Sequence, residues 1–379
     1  MNQKGLNEIR RRFRLDRNSI SRIYGCYVNC NKEIVSKFDI SLGLMSEEEQ
    51  TMYLGFLKRA LSGALGRNLV DIEFATRQVA DSPEHQLLQT LRKSALQDER
   101  ALDRMYDRII QAMDMGDQNY LILMVGDTYD VPHKGKDGEG FSDGSEQVYQ
   151  YILCSICPVK GSTMELRYYH ENNEFHGCPT GSTVSNPDIG FLFPAFDDRA
   201  ANIYNALYYC RKPEEMHQEV IDAVFNVDPP MSAVEQRNTF DTALAETLEE
   251  DCSYDVIQSV HEQVRARIAD HKESGDPNQL QLSIYDVGAI LASSGVETEK
   301  VEAFQAACKK EYGDDAALLP GNIVEAKKFE VQTPEIKISV APENSYLIET
   351  RVIHGRKYLL IPADSGVEVN GIGVTIPND

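Results

Sequence analysis

The sequence predicts an α+β protein: a mixed N-terminal α/β region, a helical middle and a small C-terminal β-rich domain. Three observations carry this. Over residues 1–210, short apolar runs alternate with capped amphipathic stretches. From Glu214 to Tyr312 the apolar residues recur at helical spacing. Beyond Pro320-Gly321, strand and hairpin signals take over. A chain of 379 residues also exceeds what one hydrophobic core usually fills. The expected division is therefore 1–210 mixed α+β, 211–315 helical and 320–379 β-rich.

In order, Leu6, Ile9 and Phe13 define the apolar stripe of a helix over residues 3–14. Ser19–Val28 alternates as a strand. Ser46 with Glu49 is a capping-box pair, predicting a helix to about Leu65. Asn68–Phe74 suggests a strand. Ser82-Pro83-Glu84 starts a helix, with Ser82 at the cap and Pro83 in the first turn, and helix continues to about Met115. Tyr120–Val125 is a short buried strand. His133–Ser145 is rich in Gly, Asp and Lys and reads as a long loop. Val148–Val159 and Met164–Tyr169 read as strands, and Asp198–Cys210 as a helix capped by Asp197.

In the helical middle, Ser253 caps a helix whose face carries Val256, Val260, Val264 and Ile268. Ser283 with Asp286 starts a short helix, and Val301, Phe304 and Cys308 mark the next. This pair reads as an ordinary helical hairpin, since Glu297, Glu299 and Glu302 would repel a phosphate wall. The C-terminal region offers strands at Ile336–Val340, Tyr346–Ile353 and Tyr358–Ile361. Asn370-Gly371 supplies its strongest hairpin signal.

Charge is unevenly spread. Lys4, Arg10, Arg11, Arg12, Arg14, Arg17 and Arg22 stand against Glu8 and Asp16 in the first 22 residues, a local +5. The whole chain is −22, so the remainder carries −27. A basic helix tethered to an acidic body is expected to dock on that body, because the tether keeps the opposite charge close at hand. A sequence pI near 4.8 argues against general nucleic-acid binding. A protein partner is expected rather than nucleic acid, and a membrane is not. No apolar stretch approaches the roughly 20 residues that cross a bilayer, and no signal-peptide pattern is seen. Eight cysteines are too sparse for a disulfide scaffold. Together these predict a cytoplasmic protein.

Two constellations offer chemistry. Cys154 and Cys157 with His170 and His176 match the spacing of a two-Cys, two-His zinc site. Yet both cysteines fall in a run that reads as continuous strand, where residues three apart face opposite ways. Cys178, or Cys26 and Cys30, could join them only if the fold allows it. Asp127, Asp130 and His133 follow the Tyr120–Val125 run, with Lys134 and Lys136 beside them for phosphate. Asp197 could complete a divalent-metal or acid–base site. No phosphate-cradling glycine loop and no Gly-x-Ser-x-Gly elbow occurs.

The strings EIRRRFR (8–14), GCYVN (25–29), SLGLM (41–45), YILCSICPVK (151–160), GFLFPAFDDRAANIYNALYY (190–209), LIETRVIHGRKYLLIPA (347–363) and GVEVNGI (366–372) resemble a bacterial family. It is catalogued as domain of unknown function 4317 and found mainly in anaerobic Gram-positive bacteria. The resemblance runs over nearly the whole chain and implies a bacterial, cytoplasmic protein. It assigns no activity, so no catalytic residue carries over. The expected function is a non-catalytic cytoplasmic binding or regulatory module without a cofactor. The alternatives are a metal- or phosphate-dependent enzyme using the Asp/His cluster, and a nucleic-acid module bearing zinc.

Overall fold

A computed structural model describes residues 1–134, 140–141, 147–314, 316–325, 328–364 and 366–376, with the backbone alone at 133–134 and 140–141. Helix α1 (Gln3–Arg12) is capped by Asn2, whose side chain accepts from the Gly5 amide at 3.0 Å. Leu6, Ile9 and Phe13 are buried, as the helical stripe requires. Strands β1 (Arg22–Val28) and β2 (Ile34–Ser41) follow. Helix α2 (Glu47–Arg59) starts on the Ser46/Glu49 capping box and stops earlier than Leu65. Strand β3 (Leu69–Glu73) leads to α3 (Thr76–Asp81), α4 (Pro83–Lys93) and α5 (Glu99–Ala112).

The rest of this region is mostly strand: β4 (Asn119–Val131), the short pair β5 (His133–Lys134) and β6 (Gly140–Phe141), β7 (Gln147–Lys160), β8 (Met164–Tyr169), β9 (Glu174–Pro179), β10 (Thr183–Val184), β11 (Ile189–Phe193), β12 (Ala195–Asp197), β13 (Ala200–Asn202) and β14 (Asn205–Cys210). Helix α6 (Gln218–Phe225) closes it. One eight-stranded sheet runs β2-β1-β4-β7-β11-β14-β3, with β10 beside β7, and every neighbouring pair is antiparallel.

Both faces of this sheet are covered, which explains why its central strands read as unbroken apolar runs rather than alternating ones. One face holds Cys26, Ile122, Met124, Ile152, Cys154 and Ile156 under α4, α5 and α6. The other holds Ile23, Leu121, Leu123, Tyr149, Tyr151 and Leu153 under α1 and α2. Gly190 in β11 permits the close approach of α2. A Cβ there would stand 2.6 Å from both Ala60 Cβ and the Cys154 carbonyl oxygen.

The expected loop over His133–Ser145 instead begins with the β5–β6 pair, and two further expectations fail here. Residues 198–210 are not helical. Asp198 and Arg199 take positive φ (45° and 62°) and form the turn between β12 and β13, after which β14 enters the sheet. Ala206, Tyr208 and Cys210 face one core and Leu207 and Tyr209 the other, a period of two that marks a strand buried on both sides. The strand over Tyr120–Val125 is also longer than expected. It runs to Val131 in thirteen-residue register with β7, from Asn119 opposite Val159 to Val131 opposite Gln147. Asp127 and Asp130 therefore lie inside a strand rather than beyond its end.

By packing, the described chain divides into Met1–Ala233 with Pro277–Gln279, and Val234–Asp276 with Leu280–Asp379. No break in packing falls after residue 210, because Val220, Ile221, Val224 and Phe225 of α6 join the core beneath the sheet. The second unit contains α7 (Ala233–Leu248), α8 (Tyr254–Ser274), β15 (Leu282–Ser283), α9 (Ile284–Ser293), α10 (Thr298–Tyr312), β16 (Ala317–Leu318) and α11 (Pro320–Ile323). Ser253 accepts from the Val256 amide, and Val256, Val260 and Val264 are buried against Phe240, Ile290 and Phe304. Its C-terminal part is a series of small antiparallel pairs: β17 (Phe329–Gln332) with β18 (Lys337–Val340), β19 (Glu349–Ile353) with β20 (Arg356–Leu360), and β21 (Glu368–Val369) with β22 (Ile372–Gly373). His354-Gly355 and Asn370-Gly371 take positive φ throughout, the turn geometry that suits two-residue hairpin loops.

Candidate functional site

Helix α1 lies on the sheet face that carries Asp127, and its side chains build a polar cluster there. Asp127 is 5% exposed. Its Oδ1 accepts from Ser19 Oγ at 2.6 Å, and its Oδ2 accepts from the Tyr151 hydroxyl at 2.8 Å. Arg12 donates to the same Oδ2 from Nε and Nη2, each at 3.3 Å, and also donates to Ser19. A buried carboxylate is tolerated only with such partners. Tyr151 sits opposite Asp127 in the β4–β7 register and stacks on Tyr149 at 4.9 Å. Burial, and then the neighbouring Asp127 carboxylate, push the Tyr151 phenol well above its ordinary range.

The cluster continues along α1. Arg12 stands 4.9 Å from the centre of the Tyr129 ring. Tyr129 donates to Glu8 Oε1 at 2.7 Å, and Arg199 donates to both Glu8 oxygens at 3.0 and 2.8 Å and to the Pro132 carbonyl at 2.8 Å. Burial and the Glu8 hydrogen bond push the Tyr129 phenol up to about 12. Arg10 donates to the Leu61 carbonyl at 2.6 Å and the Gly63 carbonyl at 3.1 Å. Arg11 and Arg14 are exposed, and Arg14 pairs with Asp16 at 3.1 Å. Arg10 and Arg12 thus spend their donors on the chain itself.

Among the described side chains of the expected Asp/His set, Asp127, Asp130 and Asp197 form no shared metal site. Asp130 is exposed and, three residues along β4, faces away from Asp127. Asp197 makes separate contacts: it takes the Met1 amino group at 2.8 Å and Asn202 Nδ2 at 2.8 Å. His133 and Lys134 are described by backbone only, and Lys136 lies outside the described residues.

The Cys/His set does not converge either. Cys154 and Cys157 are both buried in β7 but face opposite sides of the sheet. Cys154 belongs to the core under α4–α6, while Cys157 neighbours Ser155 Oγ at 3.4 Å. Burial pushes the Cys157 thiol up to about 12 and Cys154 higher still. His170 and His176 are exposed near the β8–β9 turn, His170 against Tyr168 and His176 beside Glu174 at 3.3 Å. Among the described residues, no group of three or more His, Cys, Asp and Glu is placed to hold a metal ion.

Sequence reasoning missed the partners of Asp127 and the neighbouring Glu8 network. Ser19, Tyr151, Glu8, Tyr129 and Arg199 come from four separate stretches of chain, and only the β4–β7 register and the docking of α1 bring them together.

The second unit holds a cavity of ≈ 350 Å³ lined by Arg237, Cys252, Tyr254, His261, Lys328 and Phe329, among others. His261 packs edge-on to Phe329 at 5.6 Å, and its Nδ1 is buried with no hydrogen-bond partner among the described residues. The cations at this cavity have partners: Lys328 contacts Glu330 at 2.8 Å and Arg237 contacts Asp241 at 3.7 Å.

The class these features define is an α+β protein built on an antiparallel sheet with helices on both faces. No helix among the described residues is long and apolar enough to cross a membrane. The family model for a domain of unknown function, DUF4317, matches residues 1–372, and the chain belongs to that family. No curated protein matches it.

Proposed function

We propose that this protein is a non-catalytic binding or regulatory module of the bacterial cytoplasm, acting on a protein partner rather than on nucleic acid. One observation carries the proposal: Asp127, the most buried carboxylate of the candidate site, is enclosed and held by hydrogen bonds from Ser19, Tyr151 and Arg12. A general base or metal ligand needs a free lone pair facing substrate or metal. The same contacts remove Arg12 from any phosphate-binding role, and Arg10 is committed to two backbone carbonyls.

The native, full-length protein tests this. Bound metal is measured by elemental analysis and bound nucleotide by the ultraviolet spectrum. With 18 Tyr and no Trp, the protein's own absorbance is modest, so a nucleotide stands out. The expected sample is free of stoichiometric metal and nucleotide and shows no salt-dependent binding to RNA or DNA. Stoichiometric zinc, another divalent metal or a retained nucleotide would overturn the proposal in favour of the zinc-bearing or enzymatic alternative.

A further inference from the structure

Strands β8 and β9 form a ribbon that stands apart from the main sheet. Among the described residues the two strands pair only with each other. The ribbon leaves the β7–β10 pair through Gly161-Ser162 and Gly181-Ser182, and Thr163 and Thr180 close its base through a backbone bond of 2.7 Å. Every residue of β8 is exposed, as is every residue of β9 except the half-buried Cys178. The register puts Met164 opposite Pro179, Leu166 opposite Gly177 and Tyr168 opposite Phe175. These pairs share one side of the ribbon, because alternate residues of a strand face the same way. Met164, Leu166, Tyr168 and Phe175 are 69%, 75%, 41% and 65% exposed. The opposite side carries Glu165, Arg167, Tyr169, Glu174, His176 and Cys178. The ribbon is therefore amphipathic, with its apolar side turned to solvent. An isolated two-stranded hairpin is at best marginally stable in water, so such a face calls for a cover.

We propose that the cover is a second copy of this chain, packed ribbon against ribbon about a twofold axis. The inference rests on the binding-module reading and names its partner. Charge selects a second copy. Over residues 160–184, Lys160 and Arg167 stand against Glu165, Glu171 and Glu174, a net −1 in a chain of −22. The contact face itself carries no charge, so it offers nothing by which a basic partner would be recognised. Two acidic molecules can meet there without bringing like charges into direct contact. Six residues of strand extend about 20 Å, longer than the screening length of about 8 Å at physiological ionic strength. The ribbons can thus touch while the acidic bodies are screened from each other. A face of one chemistry is also self-complementary, as a twofold contact requires. Met164, Leu166, Tyr168, Phe175 and Pro179 from two copies would remove on the order of 1,000 Å² from water, the threshold for a specific interface. A reversible dimer is the expected outcome.

The test is sedimentation equilibrium on the full chain, comparing wild type with Leu166→Glu, Phe175→Glu and the polar-side control Arg167→Glu. Circular dichroism confirms the fold of each. Wild type is expected to dimerise below about 100 μM, a micromolar affinity. Dimerisation should strengthen from about 0.01 M to about 0.15 M salt, as the screening length falls from about 30 Å to about 8 Å. Each apolar-side variant should weaken it at least tenfold, and the control less than threefold. A monomer at every salt concentration, or a dimer indifferent to both apolar-side variants, overturns the second-copy proposal. Neither result bears on the binding-module reading, which fails separately if the native protein carries stoichiometric metal or nucleotide.

Discussion

The hydroxyl of Tyr151 donates to Asp127 Oδ2 at 2.8 Å across the β4–β7 pair, in which the two residues stand directly opposite. The contact ties the buried carboxylate to the sheet, while Arg12 and Ser19 tie it to the N-terminal segment. Asp127 is therefore one of the pins that fasten α1 to the sheet, beside Glu8 on Tyr129. Asp127→Ala would leave the Tyr151 hydroxyl and the Arg12 guanidinium without their acceptor. The expected loss is about 3–5 kcal/mol, the range for breaking a buried ion pair. Tyr151→Phe removes one donor and should cost about 1–2 kcal/mol. Urea denaturation monitored by tyrosine fluorescence reads both. Equal, negligible losses would show that α1 is held by its apolar stripe alone.

The arginines of the basic helix should contribute unequally. Arg10 donates to two carbonyls and Arg12 to Asp127, whereas Arg11 and Arg14 are exposed. Arg11→Glu and Arg14→Glu should shift stability by no more than about 0.5–1 kcal/mol. Arg10→Glu and Arg12→Glu should each cost several times more. High salt should rescue little of the Arg10→Glu loss, because hydrogen bonds to backbone carbonyls are not screened as exposed ion pairs are. Denaturation midpoints at low and high salt separate the cases. A loss spread evenly over all four arginines would restore a purely Coulombic clamp.

Much of this was legible in the sequence, and the failures have a common cause. The stripe Leu6, Ile9 and Phe13 and the caps at Ser46, Ser82, Ser253 and Ser283 depend on near neighbours, and each appears where the local pattern puts it. The segment 198–210 failed because a strand buried on both faces loses its polar alternation, and Asp197-Asp198 imitates a helix start. The strand geometry that argued against a Cys154/Cys157 pair was readable, since three residues along a strand reverse the face. The Asp127 cluster was not. Asp127 and Arg12 are separated by 115 positions, and nothing local links them.

Six of the eight cysteines should react in two clear classes. Cys30 is exposed, whereas Cys26, Cys154, Cys157, Cys210 and Cys308 are buried. Burial also pushes Cys26 up to about 11 and Cys157, Cys210 and Cys308 up to about 12, which removes the reactive thiolate. A thiol reagent at neutral pH should modify Cys30 quickly and leave these five untouched until the chain unfolds. Peptide mapping of the labelled sites decides. Rapid labelling of Cys154 or Cys157 in the native protein would show that β7 opens, and zinc protection of that labelling would revive the metal site.

The second unit should weaken in mild acid through His261. Burial, with Arg237 and Arg265 nearby, holds this imidazole down to about 4 from an ordinary value of 6.5. Between those limits the unfolded chain binds a proton that the folded chain refuses, so stability falls as pH drops. The contribution is complete above about pH 6.5 and is lost progressively toward pH 4, up to about 3 kcal/mol in all. His261→Leu keeps an apolar neighbour for Phe329 and removes the titration. Hydrogen exchange of the α8 amides isolates this unit from the rest of the chain. Wild-type protection should fall by at least tenfold more than that of the variant between pH 7 and pH 5, after correction for intrinsic exchange. Carboxylates titrate mainly below this window, and the other histidines are common to both proteins. Parallel pH profiles for the two would mean that His261 is protonated in the folded state, and that the buried Nδ1 has a partner there.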